Sequence, residues 1–341
     1  MFQNPDPASK NIPVINSLRG IAASMVCFFH FVVSKGYIYD GDVISIFSIG
    51  KTGVYIFFVI SGVVIPLSMI RGGYTYRSWG NFMLKRLLRL EPPYLACLLL
   101  TLLYFQLRSL VPTSVDVDLM PSTRDLFLHV GYLVPFFHGQ WALGTFWTLA
   151  VEFQYYIILS LLLPLVLTGN KASKYCFYIL FLLAPFLLHN TAFFPVHAPF
   201  FLLGILYTFL QTGIIESREC FIVTLLCITV MVMVSPISNA IAGLFTILVI
   251  HFLPAFTNNV LDFLGKISYS LYLLHPITGK ALINVLSYKF RAGYQKPVVI
   301  IMGYILSVVT AYVFYRILEK PSQKLAAKIK YNRSKPTGKA A

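Results

Sequence analysis

Long apolar segments run through almost all of this sequence and constrain its fold more than any other feature. A helix of about 20 apolar residues is long enough to cross the hydrocarbon core of a bilayer. Hydrophobic residues make up 57% of the chain and charged residues only 11%, a balance outside the range of soluble globular domains. The sequence therefore predicts an all-α, polytopic membrane protein. We count about ten transmembrane helices, at 15–35, 46–70, 80–109, 146–168, 173–190, 197–214, 219–235, 238–255, 265–288 and 296–318.

The charge and the cysteines exclude several other classes of protein. The formal net charge is +15, but the basic residues flank apolar segments, which is the pattern of cytoplasmic loops. We therefore expect membrane lipid, and no nucleic acid, as a partner. The five cysteines lie in or beside apolar segments and show neither a CxxC motif nor Cys/His ligand spacing. The sequence thus predicts no disulfide framework and no metal site.

The distribution of Lys and Arg predicts the orientation in the membrane. Cytoplasmic loops carry an excess of these residues, and such an excess occurs at 71–89, at 171–174 and at 319–341. Residues 110–145, on the opposite side, contain three aspartates. Both termini are therefore predicted to be cytoplasmic, although the basic connection at 289–296 would then lie outside.

The chain divides into one membrane domain and two polar ends. The membrane domain is predicted at 15–318, between an N-terminal tail at 1–14 and a basic C-terminal tail at 319–341. Both tails are expected to be disordered. The connection at 110–145 contains apolar stretches that are too short to span a bilayer. It is expected either to lie on the outer membrane interface or to fold back as a partial lid.

Arg19 and His30 are ionisable residues in the first apolar segment, eleven positions apart. At about 100° and 1.5 Å per residue, their side chains share one helix face and are separated by about 16 Å along the axis. A charged group at membrane depth costs on the order of 3 kcal/mol, so such residues usually have a function. The alternative is a snorkelling arginine and a packed, neutral histidine.

Ser61 and Gly62 lie among small residues in the second apolar segment, GKTGVYIFFVISGVVI. Small residues let helices approach closely, so a packing face is one interpretation. In the other, Gly62 leaves the Ser61 hydroxyl free to face a substrate channel. The surrounding sequence is not a GxSxG elbow, so we predict no serine nucleophile here.

Arg86 and Arg89 lie three residues apart near the start of the third apolar segment and share a helix face. Glu91 and the pair Pro92–Pro93 follow directly, which predicts a helix break and a cavity at membrane depth. Guanidinium groups beside such a cavity suit phosphates, because they offer paired donors in a fixed geometry. Ordinary basic flanking of a transmembrane helix is the alternative.

Further ionisable residues lie inside later apolar segments. Glu152 can accept a hydrogen bond from an imidazole or neutralise an arginine. His275 precedes Pro276, which predicts an interruption of the ninth helix; a purely structural hydrogen bond of the imidazole is the alternative. Arg316 and Glu319 lie three apart and are expected to pair locally.

Seven segments, taken together and in order, resemble the membrane acyltransferase 3 family, bacterial enzymes that O-acylate surface glycans. These segments are LRGIAASMVCFFH, GVYIFFVISGVVI, KRLLRLEPPY, FWTLAVEFQYY, HAPFFLLGILY, LGKISYSLYLLHPI and LEKP, and they extend from about residue 16 to residue 321. One segment alone would be weak evidence for the resemblance, whereas seven in order form a specific pattern. Val63 departs from the family's usual SGF sequence, so an aromatic contact is expected to be lost there.

The resemblance implies roles for individual residues. Arg19 and His30 match the family's catalytic R-x10-H pair, and Glu152 matches the acidic residue of its WTL-x-x-EF segment. The R-x-x-R pair and the serine–glycine turn imply donor binding by Arg86, Arg89, Ser61 and Gly62. His275 and Glu91 are further candidates from the sequence alone.

The resemblance also implies an activity. We expect an enzyme of the bacterial cytoplasmic membrane that transfers an acyl group, most commonly acetyl, from cytoplasmic acyl-coenzyme A to a hydroxyl of a surface carbohydrate or glycolipid. His30 either removes the hydroxyl proton or carries the acyl group covalently, and both routes stay open. The rival class is a transporter that exports a polysaccharide precursor or an acylated metabolite. The lack of an internal repeat disfavours it.

Overall fold

The computed structural model describes residues 12–33, 37, 41–110 and 120–331. Within these ranges the chain is helical and contains no strand. The α-helices are α1 Val14–Val32, α2 Gly41–Ser48, α3 Gly53–Arg71, α4 Trp79–Ser109, α5 Thr123–His129, α6 Trp147–Leu167, α7 Lys171–Leu187, α8 Phe194–Gln211, α9 Ser217–Val234, α10 Ile237–Phe252, α11 Asn259–Lys266, α12 Ser268–Leu274, α13 Gly279–Leu286, α14 Lys296–Phe314 and α15 Lys320–Ala327. The predicted all-α fold is confirmed.

Seven helical segments of the described chain are long and apolar enough to cross a membrane. They are Val14–Val32, Gly41–Arg71, Tyr76–Ser109, Trp147–Leu167, Phe194–Gln211, Ser217–Val234 and Gly293–Ala327. Each matches one of the predicted transmembrane segments, so the chain is a multi-pass membrane protein. The other predicted segments correspond to shorter helices, α7 with 17 residues and α10 with 16, and to a region that is divided into several short helices.

This divided region includes the ninth predicted segment, 265–288, which covers the end of α11 and all of α12 and α13. The helix α12 ends at Leu274 and α13 begins at Gly279, so the interruption predicted at Pro276 is confirmed. The break predicted at Pro92–Pro93 is wrong, because α4 continues through both prolines to Ser109. Beside that pair, the hydroxyl of Tyr269 in α12 donates to the carbonyl oxygen of Leu90, at 2.9 Å.

Close backbone contacts join α1 to α11. A Cβ atom at Gly20 would meet the backbone of α11, and one at Gly265 would overlap the backbone of Asn16. The two helices therefore touch backbone to backbone, as small residues permit. The Ser17 hydroxyl adds a hydrogen bond to the Asp262 carboxylate, at 2.8 Å. This contact positions α11 and the following α12 against the helix that carries Arg19 and His30.

The segment between α4 and α6 folds back onto the bundle over residues 120–146. Tyr132 and Phe146 are buried against Tyr94 of α4, with ring centroids 4.9 Å from the Tyr94 ring in both cases. The N–H of Gly131 donates to the Glu91 carboxylate, at 3.2 Å. The described part of 110–145 thus packs against α4, and the expected position on the outer membrane interface stays a prediction. Residues 111–119 lie outside the described chain.

A polar network shapes this folded-back segment. The Ser122 hydroxyl and the Gln140 N–H donate to the Asp125 carboxylate, at 2.7 and 3.1 Å, and these bonds hold the pKa of Asp125 below its usual range. His129 Nδ1 donates to the Asp125 carbonyl oxygen, and the Ala142 N–H donates to His129 Nε2. Burial lowers the pKa of His129. The imidazole is therefore neutral and links the two ends of the segment.

The C-terminal tail differs from the prediction. Residues 320–331 are ordered, because α14 continues through a π-helical turn, Tyr315–Glu319, into α15. Tyr331 is buried, and its carbonyl oxygen accepts a hydrogen bond from the Ser78 hydroxyl, at 2.9 Å. The apolar ring of Tyr331 is what the prediction of a disordered, basic tail overlooked. The predictions for 1–11 and 332–341 fall outside the described residues.

Candidate active site

A cavity inside the bundle collects most of the candidate residues, and we call it the arginine cavity. About 880 Å³ of empty space, part of it open to solvent, lies between its lining residues. Its polar lining consists of Arg19, Ser61, Arg86, Arg89, Thr148, Glu152, Tyr156, Ser268, Tyr269, Tyr272 and Glu319. These residues come from α1, α3, α4, α6, α12 and the π-helical turn.

The three arginines converge on this cavity from two helices. Arg86 is only 4% exposed, and its guanidinium lies over the rings of Phe82 and Tyr156, at 5.4 and 5.5 Å from their centroids. No described residue accepts a hydrogen bond from its buried Nε. Arg19 is anchored, because its Nε donates to the Ser268 hydroxyl at 3.3 Å. A buried guanidinium with an unpaired N–H suits an anionic ligand.

Two carboxylates balance part of this positive charge. Glu152 accepts hydrogen bonds from the Ser61 hydroxyl at 2.7 Å and the Tyr156 hydroxyl at 2.6 Å. Glu319 accepts from the N–H and the hydroxyl of Ser270, at 3.2 and 2.5 Å, and from the Gln323 amide at 2.8 Å. Three arginines against two carboxylates leave the cavity lining with a formal charge of +1. Both carboxylates are thus hydrogen-bonded, whereas Arg86 keeps an unpaired N–H group.

Glu319 is the site residue that sequence reasoning missed. The expected pair with Arg316 does not form, because Arg316 donates to the Tyr312 hydroxyl, at 3.2 Å, in an exposed position. The π-helical turn rotates Glu319 inward, and only 2% of its surface is exposed. Such turns are common at functional sites. An acidic residue at the end of an apolar segment was the available signal, and the same argument had already selected Glu152.

His30 lines a second cavity, which we call the histidine cavity. The lining is formed by Val26, Phe29, His30, Lys51, Val54, Tyr55, Gly144, Thr145, Trp147, Pro236, Asn239 and Tyr272. Val54 and Tyr272 belong to the lining of both cavities. The cavities are therefore neighbours across a shared wall, and α1 runs along both of them, with Arg19 at one and His30 at the other.

His275 supports His30 from the protein interior. The centroids of the two imidazole rings lie 5.1 Å apart. His275 is fully buried, and its Nδ1 contacts the carbonyl oxygens of Leu271 and Tyr272, at 3.2 and 2.9 Å. Carbonyl oxygens only accept, so Nδ1 carries the proton. His275 lines neither cavity and packs behind His30.

The structure places Ser61 and Gly62 in different surroundings. Ser61 lines the arginine cavity as expected, whereas Gly62 does not. A Cβ atom at Gly62 would overlap the carbonyl oxygen of Phe201 in α8, and one at Gly204 would overlap that of Val59 in α3. This contact supports the packing interpretation of Gly62, and donor binding by Gly62 stays a prediction. Glycine at this position lets two helix backbones touch.

Two acidic candidates also have other partners than those expected. The Glu152 carboxylate lies in the arginine cavity against Ser61 and Tyr156, away from the cavity that His30 lines. Glu91 lines neither cavity, and its Oε1 accepts from the N–H of Gly131. Glu91 thus connects α4 to the folded-back segment, and this contact is structural.

The described chain is thus a multi-pass helical bundle with cationic and imidazole groups in adjoining cavities. The family model described as an acyltransferase domain matches residues 12–316. The chain therefore belongs to the acyltransferase 3 family and is a membrane acyltransferase, which moves an acyl group from a donor to an acceptor. No curated protein and no solved structure matches the chain.

Proposed function

We propose that this acyltransferase takes its acyl group, acetyl in the first instance, from cytoplasmic acyl-coenzyme A. The acceptor in this proposal is a hydroxyl group of a carbohydrate or glycolipid on the opposite side of the membrane. One observation carries the proposal: the arginine cavity and the histidine cavity adjoin at Val54 and Tyr272. A donor in one cavity and an acceptor in the other would meet at this shared wall.

The arginine cavity suits the donor in its charge and in its apolar lining. Coenzyme A carries phosphates, and the spare donors of Arg86, together with Arg89 and Arg19, suit them. Apolar side chains such as Phe57 and Leu90 line the rest of the cavity, which suits the pantetheine arm and a short acyl chain. The thioester carbonyl would then point towards the wall beside Tyr272.

His30 acts in this proposal as the general base. The acceptor hydroxyl loses its proton to the imidazole while its oxygen attacks the thioester carbonyl carbon. The carbon–sulfur bond then breaks, and the sulfur takes the proton back from the imidazolium. The products are an ester and free coenzyme A. Covalent transfer through His30 is the second route, and it differs in forming an acyl-imidazole before the acceptor binds.

The basic segments at 71–89 and 171–174 support an arrangement with the start of α1 in the cytoplasm, because Lys and Arg are enriched on that side. The arginine cavity then opens towards the cytoplasmic half and the histidine cavity towards the outer half. We propose the bacterial cytoplasmic membrane as the location. Cysteine labelling from each side, with a cysteine introduced at exposed Gly80, tests the side on which α4 begins.

Thiol release tests the activity directly. The purified protein in lipid nanodiscs is mixed with labelled acetyl-coenzyme A and a glycan extract, and free coenzyme A and labelled glycan are measured. We expect both to appear in equal amounts, and neither to appear with His30→Ala. Intact acetyl-coenzyme A in the presence of folded wild-type protein would contradict the proposed donor.

A further inference from the structure

The histidine cavity contains a set of polar groups that proton transfer by His30 does not use. Lys51 lies in the 3-10 turn Ile49–Thr52 just before α3, Thr145 lies just before α6, and Asn239 lies in the first turn of α10. All three line the cavity together with His30. They come from different parts of the chain and surround one space.

Two of these groups are buried polar oxygens without a partner. Thr145 is 4% exposed and Asn239 is 3% exposed, and neither Thr145 Oγ1 nor Asn239 Oδ1 has a hydrogen-bond partner in the described chain. Leaving a buried polar atom unpaired is costly, and native proteins almost always satisfy such atoms. Because both side chains line the cavity, a ligand with hydroxyl groups is the natural partner.

The third group supplies charge. Lys51 is exposed at the cavity, and the lining that the structure describes contains no carboxylate to pair with it. An ammonium group that meets no carboxylate in this described lining, next to free hydrogen-bonding oxygens, favours a ligand that is both hydroxylated and anionic.

Aromatic rings form part of the wall. Trp147 and Tyr55 line the cavity, and both are held by packing behind them. The Trp147 ring lies 5.4 Å from His197, and the Tyr55 ring lies 4.4 Å from Phe200, between ring centroids. Rings fixed in this way offer flat apolar surfaces to the C–H faces of a pyranose, which complement its hydroxyl edges.

We infer that the histidine cavity binds an anionic pyranose as the acyl acceptor, with Lys51 contacting its carboxylate or phosphate and Thr145 and Asn239 contacting its hydroxyls. This inference rests on the proposed function, and it deepens that function by naming the class of acceptor. It assigns Lys51 as the residue that determines specificity, because it is the one lysine or arginine in the described lining of this cavity.

Three acceptors with the same ring test this inference: methyl glucoside, methyl glucuronoside and methyl glucoside 6-phosphate. Transfer from labelled acetyl-coenzyme A is measured with the full-length protein in nanodiscs of zwitterionic lipid. Binding of each sugar is measured in parallel by saturation-transfer NMR. We expect kcat/KM for at least one anionic sugar to exceed that for methyl glucoside tenfold or more, through a lower KM. The carboxylate and phosphate arms show which anion is preferred.

Variants of the cavity sharpen the test. Lys51→Met is expected to bring the ratio of anionic to neutral kcat/KM to about 1, Lys51→Glu to invert it, and Lys51→Arg to keep it. Asn239→Leu is expected to weaken the binding of all three sugars to the same extent. Lys171→Met, which removes an exposed lysine outside both cavities, is the control and should leave every value unchanged.

The outcomes distinguish failure of the anionic acceptor from failure of the proposed acyl donor. Equal use and equal binding of the three sugars by the wild type, or a ratio that Lys51→Met does not change, would overturn the anionic acceptor while leaving the acyltransferase reaction intact. Acetyl-coenzyme A that stays intact with every sugar would overturn the proposed donor. In that case the NMR binding preference, and its loss in Lys51→Met, still decides whether the cavity selects anionic pyranoses.

Discussion

The imidazole rings of His30 and His275 lie with their centroids 5.1 Å apart and their planes tilted by 39°. The two rings have different surroundings, because His30 lines a cavity whereas His275 is fully buried and bonded through Nδ1 to backbone carbonyls. In the proposed mechanism, the buried ring keeps its place while His30 meets the substrate.

Replacing His30 tests the proposed base. Removal of a general base typically reduces the rate by about 10²–10⁴-fold, so His30→Ala should reduce acetyl transfer by at least about a hundredfold. Expression and membrane insertion should persist, because the side chain is only half buried. His189→Ala, at an exposed position outside both cavities, should retain full activity. Near-normal acylation by His30→Ala would remove this residue from the mechanism.

Replacing His275 tests its positioning role. His275→Ala removes the donor to the Leu271 and Tyr272 carbonyl oxygens and should lower the free energy of unfolding by about 1–3 kcal/mol. His275→Asn keeps a donor at the same place and should recover most of that loss. Thermal unfolding in detergent measures the stability. In both variants we expect a lower kcat with an unchanged KM for the donor, and a change confined to KM would contradict positioning.

Arg89→Ala tests the proposed donor site. Loss of a charge-assisted hydrogen bond costs about 1.5–3 kcal/mol, so the dissociation constant of coenzyme A should rise by about tenfold to a hundredfold. Acetyl-pantetheine lacks the nucleotide phosphate groups, and its use should not depend on this residue. Arg71→Ala removes an exposed arginine at the end of α3 and serves as the control. An unchanged affinity in Arg89→Ala would restrict Arg89 to a role in topology.

Gly62→Ala tests the packing interpretation against donor binding. The added Cβ would overlap the Phe201 carbonyl oxygen at the α3–α8 contact, and overpacking of this kind costs about 1–3 kcal/mol. We expect a lower unfolding temperature with the affinity for coenzyme A retained in the protein that stays folded. Gly80→Ala meets no atom within 4 Å and should be neutral or slightly stabilising. Normal stability with lost donor affinity would reverse our assignment of Gly62.

Glu152→Gln separates charge from hydrogen bonding in the arginine cavity. The amide oxygen can still accept from Ser61 and Tyr156, so the fold should survive. Removal of one negative charge should make the binding free energy of an anionic donor more favourable, by on the order of 1 kcal/mol at an effective dielectric constant of about 20. We therefore expect coenzyme A to bind about fivefold more tightly, as measured by calorimetry. Weaker binding would mean that Glu152 contacts the donor directly.

Much of the architecture was predictable, because its signals are local in the sequence. The length and polarity of the apolar segments predicted the membrane-spanning helices, and Pro276 predicted the end of α12. Spacing placed Arg19 and His30 on one face of α1, and they do line adjoining cavities. Each of these features depends on helix periodicity or on the missing N–H of proline, which act within a few residues.

Other features depended on contacts that no local pattern encodes. The prolines of α4 were expected to break the helix, and Glu319 was expected to face Arg316, but neither occurs. The inward direction of Glu319 results from a π-helical turn, and the partners of Glu152 come from a different helix. Such outcomes are decided by the way that distant segments cross.

The sequence by itself determined the helical class, the membrane environment and the family, because these follow from hydrophobicity, periodicity and the order of short motifs. Only the tertiary structure decided that the candidate residues divide between two cavities, with Val54 and Tyr272 between them. The physical reason is that a cavity exists where packed helices diverge. That divergence depends on backbone contacts such as Gly62 with Phe201 and Gly20 with Leu261, between residues far apart along the chain.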